Sequence, residues 1–336
     1  MREPAFWQPP STWLSRLLLP LAAIYGEIAG GRMARQGIAV GIPVLCVGNY
    51  HVGGAGKTPT TLALVALLRE LGETPVVLSR GYGGQLRGPV KVDVSRHNAA
   101  DVGDEPLMMA RQVTVVISRD RVGGAALARS TGASVIVMDD GFQNPAVAKD
   151  ASIIVIDGDR GLGNGRVLPA GPLRAPLDLQ IARTDALVIV GNGAAAAGVA
   201  SLVASKGGPV LTARLVTDEA SLSALRGKRV LAFAGIGDPG RFFRTLRNAG
   251  VDVVIEKAFP DHHPYASADI DALAAQAQRD GLTLVTTEKD LVKLRGMPAA
   301  AAVVPFAVTL AFEDHAALRA FVVERLNIAR AKKFRK

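Results

Sequence analysis

The stretch Gly48-Asn49-Tyr50-His51-Val52-Gly53-Gly54-Ala55-Gly56-Lys57-Thr58 decides how this chain folds. An apolar run, Ile42 to Val47, leads into it, and a helix-periodic run, Thr60 to Leu71, follows. That order reads as strand, glycine loop, helix, with Gly-Lys-Thr at the helix start. Glycines let backbone N–H groups converge on an anion, and the helix N-terminus adds partial positive charge. Lys57 is placed to reach outer phosphates and the Thr58 hydroxyl to hold Mg²⁺. The strict phosphate-loop pattern has glycine five residues before Gly56, where His51 stands, so the loop is expected to be longer or differently wound. The expected ligand is a nucleoside triphosphate.

Outward from the loop, short Val/Ile-rich runs alternate with helical stretches: Thr74 to Leu78, Thr114 to Ile117, Ser134 to Met138, Ser152 to Ile156 and Ala186 to Val190. Such a series implies an α/β fold, a mostly parallel sheet of the phosphate-loop NTPase type covered on both faces. Polar residues interrupt the pattern between about Leu211 and Lys228. A second, smaller α/β domain then begins with Arg229 to Ala234, followed by Val251 to Ile255, Leu282 to Thr286 and Ala301 to Val308. The expected organisation is an N-terminal amphipathic, membrane-associated helix (1–35), a phosphate-loop kinase domain (36–215), the smaller domain (225–325) and a basic tail (326–336).

Composition narrows the partners. The chain of 336 residues is 49% apolar, long enough for two cores and too apolar for disorder. Its single cysteine, Cys46, excludes an internal disulfide and fits a reducing compartment. Of a net charge of +9, six charges lie in residues 325–336. No nucleic-acid motif accompanies them and aromatics are 5%, so nucleic acid is not the expected partner. An anionic membrane surface fits better. Trp7, Trp13 and the uncharged run Leu17 to Gly26 suit a helix lying in the interface, and equally a helix packed on the body. The run is too short to span a bilayer.

Asp139 and Asp140 end a core strand, where nucleotide enzymes hold Mg²⁺; Asp-Asp-Gly is also turn chemistry, and the phosphate loop favours the metal reading. Gly103-Asp104-Glu105-Pro106 reads locally as a helix start with Asp104 as cap. Asp261-His262-His263 has no zinc spacing around it. Gly235-Ile236-Gly237-Asp238-Pro239-Gly240 has the outline of a dinucleotide fingerprint, but Asp238 and Pro239 are wrong for a pyrophosphate, so a tight βα turn is expected. Thr287-Glu288-Lys289-Asp290 reads as a helix cap, though its place at a strand's carboxyl end leaves a functional role open.

As an ordered set, these segments resemble the tetraacyldisaccharide 4′-kinase (lipid A 4′-kinase) family. The set comprises Val47-Gly48-Asn49 with Gly53 to Pro59, Ser79-Arg80-Gly81-Tyr82-Gly83, Gly103-Asp104-Glu105-Pro106 and Asp139-Asp140-Gly141-Phe142-Gln143. It continues with Pro169-Ala170-Gly171-Pro172-Leu173-Arg174, Gly235-Ile236-Gly237, Phe259-Pro260-Asp261-His262-His263 and Thr287-Glu288-Lys289-Asp290. The resemblance implies transfer of phosphate from ATP, with Mg²⁺, to the 4′-hydroxyl of a lipid A disaccharide precursor at the cytoplasmic face of the bacterial inner membrane. It implies Gly53, Gly54, Ala55, Gly56, Lys57, Thr58 and Pro59 as the ATP site, and Thr58, Asp139 and Asp140 as metal residues. It makes Asp104 the base and His262 its partner, ahead of His263. Asn49, Arg80, Arg119, Arg121 and Arg174 are candidates for substrate or charge stabilisation. Asn144 and Ala175 depart from the family pattern, which commonly has histidine and an acid there. A monomer is expected. The alternative class is a membrane-associated switch ATPase of the partition type, although Val52 stands where those proteins carry a second lysine.

Overall fold

The computed structural model describes residues 4–333. Among these, nine strands form one sheet and four form a second. The strands are β1 (Val44–Gly48), β2 (Pro75–Ser79), β3 (Val90–Lys91), β4 (Val115–Ile117), β5 (Val135–Asp139), β6 (Ala151–Asp157) and β7 (Ala186–Val190). They continue with β8 (Val210–Thr217), β9 (Arg229–Ala234), β10 (Asp252–Ala258), β11 (Thr283–Thr287), β12 (Val303–Phe306) and β13 (Val308–Phe312). The large sheet runs β13-β8-β7-β6-β1-β5-β2-β4-β3, parallel except for the two outermost pairs. The small sheet runs β10-β9-β11-β12, all parallel.

Strands β1, β2, β5 and β6 are buried at every position, which is why they read as unbroken apolar runs. Helix Lys57–Glu70 covers one face of the large sheet through Leu64, Val65, Leu67 and Leu68, and Arg121–Ser130 covers the other through Ala125 and Ala128. β1 sits centrally between β5 and β6, so the loop after it opens at the carboxyl edge, where α/β sheets bind ligands. Register places Val47 of β1 beside Asp139 of β5.

The smaller domain differs from expectation at its far end. It is an insertion: the chain leaves the large sheet after β8 and returns to it as β13, antiparallel to β8 with Thr217 opposite Val308. Where it crosses, Asp218 N donates to Ala307 O (3.1 Å) and Ala307 N to the Ser221 hydroxyl (3.1 Å). Helix His315–Lys333 then packs Leu318, Phe321, Val322 and Leu326 into the large sheet's core. Residues 326–333 therefore continue a docked helix and are no free tail, with Arg330 bonded to Glu73 (2.7 Å); residues 334–336 of the expected basic tail lie outside the described ones.

The N-terminal segment also differs from an amphipathic helix. Helices Trp13–Leu17 and Leu19–Met33 lie against the 164–179 region, with Ser15 donating to Ala170 O (2.7 Å). Apart from Met33 in the last turn, the buried side of the second helix is small: Ala22, Gly26 and Gly30, the last two against Pro176 and Leu179. The large apolar residues face outward, with Leu17 66%, Leu21 57%, Ile24 61% and Ile28 61% exposed. A water-exposed helix ordinarily shows the reverse arrangement. No helix among the described residues is long and apolar enough to cross a membrane.

Candidate active site

The glycine loop is built on β1 and released into helix Lys57–Glu70, so Lys57 and Thr58 are the first helical residues and Pro59 sits harmlessly in the first turn. Gly56 caps that helix at φ 92°, a left-handed conformation that costs a side-chain-bearing residue energy. His51 needs no glycine because it lies in an extended bridge to Leu173. The loop is braced from two sides. Val52 N donates to Pro172 O and Arg174 N to Tyr50 O, while the Gln143 amide donates to Asn49 O (2.8 Å). The Asn49 side chain is fully buried beneath the loop and donates to Gly53 O (3.2 Å), so it shapes the loop from below. His51 is buried too, and burial lowers its imidazole pKa to about 4, keeping it neutral beside Lys57.

Two carboxylates face this loop with opposite character. Asp139 is buried, accepts only long bonds from Ser79 (3.3 Å) and Thr61 (3.4 Å), and is pushed up to about 7 by burial, Glu105 and Asp140. Asp140 sits at φ 49° and accepts from Arg174 Nη1 at 2.8 Å, with Lys57 Nζ at 3.8 Å. Burial alone would raise its pKa, but Lys57 and Arg174 overcome this and hold it near 2. Arg121 is buried, with Nη1 lacking a hydrogen-bond partner among the described residues, and lines the same cleft as Asp139 and Asp140.

Asp104 begins helix Asp104–Met109 without capping it. Gly103 is the cap residue, at φ 92°, where a Cβ would meet Tyr82 O at 2.4 Å. The Asp104 carboxylate, 5% exposed, accepts from His262 Nδ1 at 2.9 Å and from Glu105 N at 2.9 Å. Burial would raise its pKa, but the His262 hydrogen bond and then the Lys289 charge outweigh this and keep it below the usual carboxylate value. His262 holds φ 57°, its N–H bonded to Gly235 O and its ring edge-on to Tyr82. Lys289 stands behind the pair, 2.9 Å from Glu105, 4.0 Å from Asp104 and 3.9 Å from Asp261.

A cleft of about 360 Å³ opens beside these groups, lined by Asp139 and Asp140 but not by Lys57, Asp104 or His262 themselves. Arg80, Arg121, Asp140 and Arg174 line it together with Tyr25 and Arg32 of the N-terminal helix. Glu105 and Pro106, which follow Asp104 in the chain, also line it. Arg119 is exposed and outside this cleft, so of the two neighbouring arginines only Arg121 joins the others. Arg174 is already committed to Asp140, and Arg80 remains exposed. His263 turns away to stack on Phe259 and reach Asp269 (3.3 Å). The Gly235 loop is a βα turn, with Asp238 accepting from Arg241 N to cap the next helix. Sequence reasoning missed the Lys289 cluster and the small-faced packing of the N-terminal helix.

A glycine loop at the centre of a parallel sheet, with a lysine and paired aspartates converging on it, defines a phosphate-loop nucleotide-binding protein of the α/β class. The chain belongs to the tetraacyldisaccharide-1-P 4′-kinase family, whose sequence model matches residues 14–327. The tetraacyldisaccharide 4′-kinase of Rhodopseudomonas palustris (strain ATCC BAA-98 / CGA009) is 68% identical over 335 residues, 99% of this chain and 98% of that one. Its counterpart in Nitrobacter winogradskyi is 66% identical over 328 residues, 96% of this chain and 97% of that one. The crystal structure of "apo" form LpxK from Aquifex aeolicus in complex with ATP matches with a TM-score of 0.73 at 29% identity, covering 93% of this chain and 99% of that one.

Proposed function

We propose that this chain transfers the γ-phosphoryl group of ATP to the 4′-hydroxyl of a tetraacyldisaccharide 1-phosphate, working as a monomer on the cytoplasmic surface of the inner membrane of a Gram-negative bacterium. The observation that carries the lipid reading is the shared cleft: residues of the outward-apolar N-terminal helix and the phosphate-site residues Asp140 and Arg174 line one space. A sugar head group reaches the phosphate loop there while its acyl chains stay beside Leu21, Ile24 and Ile28. Keeping them in lipid matters because each CH₂ exposed to water costs about 0.8 kcal/mol.

In this reading the loop from Gly53 to Pro59 cradles the triphosphate, with Lys57 on the outer phosphates and Arg121 adding positive charge from the cleft wall. The donor set suits Mg²⁺: Thr58, Asp139 and Asp140 offer hard oxygens, and Asp139 is a buried carboxylate poorly supplied with donors. Mg²⁺ usually takes one or two protein oxygens, the rest coming from phosphates and water, and when bound it neutralises phosphate charge. Asp104 accepts the hydroxyl proton, and the His262 N–H keeps that carboxylate ionised and aimed. Arg80 and Arg32 supply charge for the substrate's 1-phosphate.

The test is transfer of ³²P from γ-labelled ATP to a tetraacyl disaccharide 1-phosphate in mixed micelles, with Lys57→Ala as control. Lipid-linked label that requires Lys57 and added Mg²⁺ supports the reading. ATP turnover that needs no lipid acceptor would replace it with a switch ATPase.

A further inference from the structure

The segment Thr287-Glu288-Lys289-Asp290 belongs to the smaller domain, and two of its residues serve that domain alone. The Thr287 hydroxyl caps the short helix by accepting from Asp290 N (3.0 Å). Asp290, wholly buried, accepts from Gly235 N (3.1 Å) and the Tyr265 hydroxyl (3.2 Å) and pairs with Lys293 (2.6 Å). Lys289 points the other way, across the domain boundary. Its ammonium gathers Glu105 (2.9 Å) and Asp104 (4.0 Å) from the larger domain and Asp261 (3.9 Å) from the smaller. Asp261 Oδ1 is buried with no hydrogen-bond partner among the described residues, so Lys289 and the His262 ring, 3.8 Å away, are its compensation.

On the reading that Asp104 is the base, we propose that Lys289 is a positioning residue for phosphoryl transfer: it bridges Asp104, Glu105 and Asp261 and so holds Asp104 ionised and seated against His262. Three carboxylates converging on one ammonium, with Asp104 buried and Glu105 and Asp261 partly exposed, repel one another, and like charges at this range drive a carboxyl toward protonation. The cations facing Asp104 are His262 from the loop after β10, Lys289 from the helix after β11, and more weakly Lys293 one turn on. His262 has Asp261 to answer as well, so it does not balance the cluster alone. Burial would depress the Lys289 ammonium, but Glu105, Asp104 and Asp261 together hold it above the ordinary lysine value. It therefore stays charged at any pH at which the enzyme works. A protonated Asp104 has no lone pair basic enough to take the hydroxyl proton, so losing Lys289 removes competent enzyme at the acid end of the profile.

The experiment compares full-length Lys289→Met, which removes the charge, with Lys289→Arg, which keeps it, alongside Asp104→Ala. ATP binding, carried by the loop around Lys57, reports that each variant is folded. Lys289→Met is expected to move the acid limb of the kcat–pH profile up by about one unit, so that kcat falls by up to about tenfold on the acid side of that limb and little at neutral pH, with KM for ATP within about twofold. Lys289→Arg should restore most of that loss. An acid limb that stays in place in a Lys289→Met enzyme that binds ATP overturns the proposal, as does equal loss in both variants. If Lys289→Met does not fold, Glu105→Gln decides: removing one acid should shift the limb to lower pH, and no shift overturns the proposal. Near-normal turnover by Asp104→Ala would instead sink the assignment of the base, a failure distinguishable from an unmoved limb in an enzyme that needs Asp104.

Discussion

Replacing Leu21, Ile24 and Ile28 together by serine should detach the protein from membranes while leaving its fold in place. These side chains are 57%, 61% and 61% exposed, so their outer parts touch no core. Moving a whole leucine or isoleucine side chain from water into hydrocarbon gains about 2 kcal/mol, and the exposed share here is about 1.2 kcal/mol each. Three such losses sum to about 3.5 kcal/mol, or about 300-fold in a partition coefficient. The packed side, Ala22, Gly26 and Gly30, is untouched, and lower helix propensity costs only about 0.5 kcal/mol per serine. The assay is co-sedimentation with vesicles of phosphatidylethanolamine and phosphatidylglycerol, with thermal melting in parallel. Leu202→Ser, which alters an exposed apolar residue of a different helix, is the control. Partitioning within about threefold of the parent, with an unchanged melt, would refute the reasoning that this face enters lipid.

Asp104→Ala should cost about a hundredfold or more in kcat with ATP binding retained, and His262→Ala about tenfold, whereas His263→Ala should stay near the parent because its ring stacks on Phe259. Steady-state kinetics of the three decide which imidazole matters. Asp139 has a folded-state pKa raised to about 7, so ionising it costs the native state stability. That penalty begins above the unfolded aspartate value near 3.9 and is complete above about 7. Asp139→Asn should therefore raise Tm more at pH 8 than at pH 5 in Mg²⁺-free buffer while abolishing transfer, and equal shifts at both pH values would contradict the assigned cause. Asp290→Ala leaves the Lys293 ammonium buried without its partner and strips Gly235 N and Tyr265 of an acceptor. Chemical denaturation should show a loss of about 3–5 kcal/mol, the range for breaking a buried pair from one side.

What was legible in the sequence follows from which forces are local. Strands buried on both faces, such as β1, β6 and β7, appear as apolar runs because no position has to be polar. β8 escaped because it exposes Thr212 and Arg214 on a wet face, and that alternation resembles a linker. The expected strand Ala301 to Val308 covers β12 but stops at the first residue of β13, because only Ala307 separates the two although the chain changes sheets there. The phosphate loop and the aspartates of β5 were readable since spacing along the chain encodes them. The Asp104–His262 contact joins residues 158 apart, which no local pattern records; it was anticipated only through family resemblance. Lys289 was hidden as well. Its neighbours Thr287 and Asp290 do form the helix cap that the motif suggests, while the partners of the lysine, Asp104 and Glu105, lie more than 180 residues away and leave no local pattern.

The insertion of the smaller domain between antiparallel neighbours has a mechanical consequence. Its two connections leave the large sheet side by side and are hydrogen-bonded to each other at Asp218 and Ala307. A body hung on two adjacent connections is tethered at one edge of the sheet, which limits how far it can be carried away from that edge. An opening that parts His262 from Asp104 would therefore leave the two tethered near each other. Their meeting is thus a short return rather than a search through space, and it costs less entropy than closing a long loop.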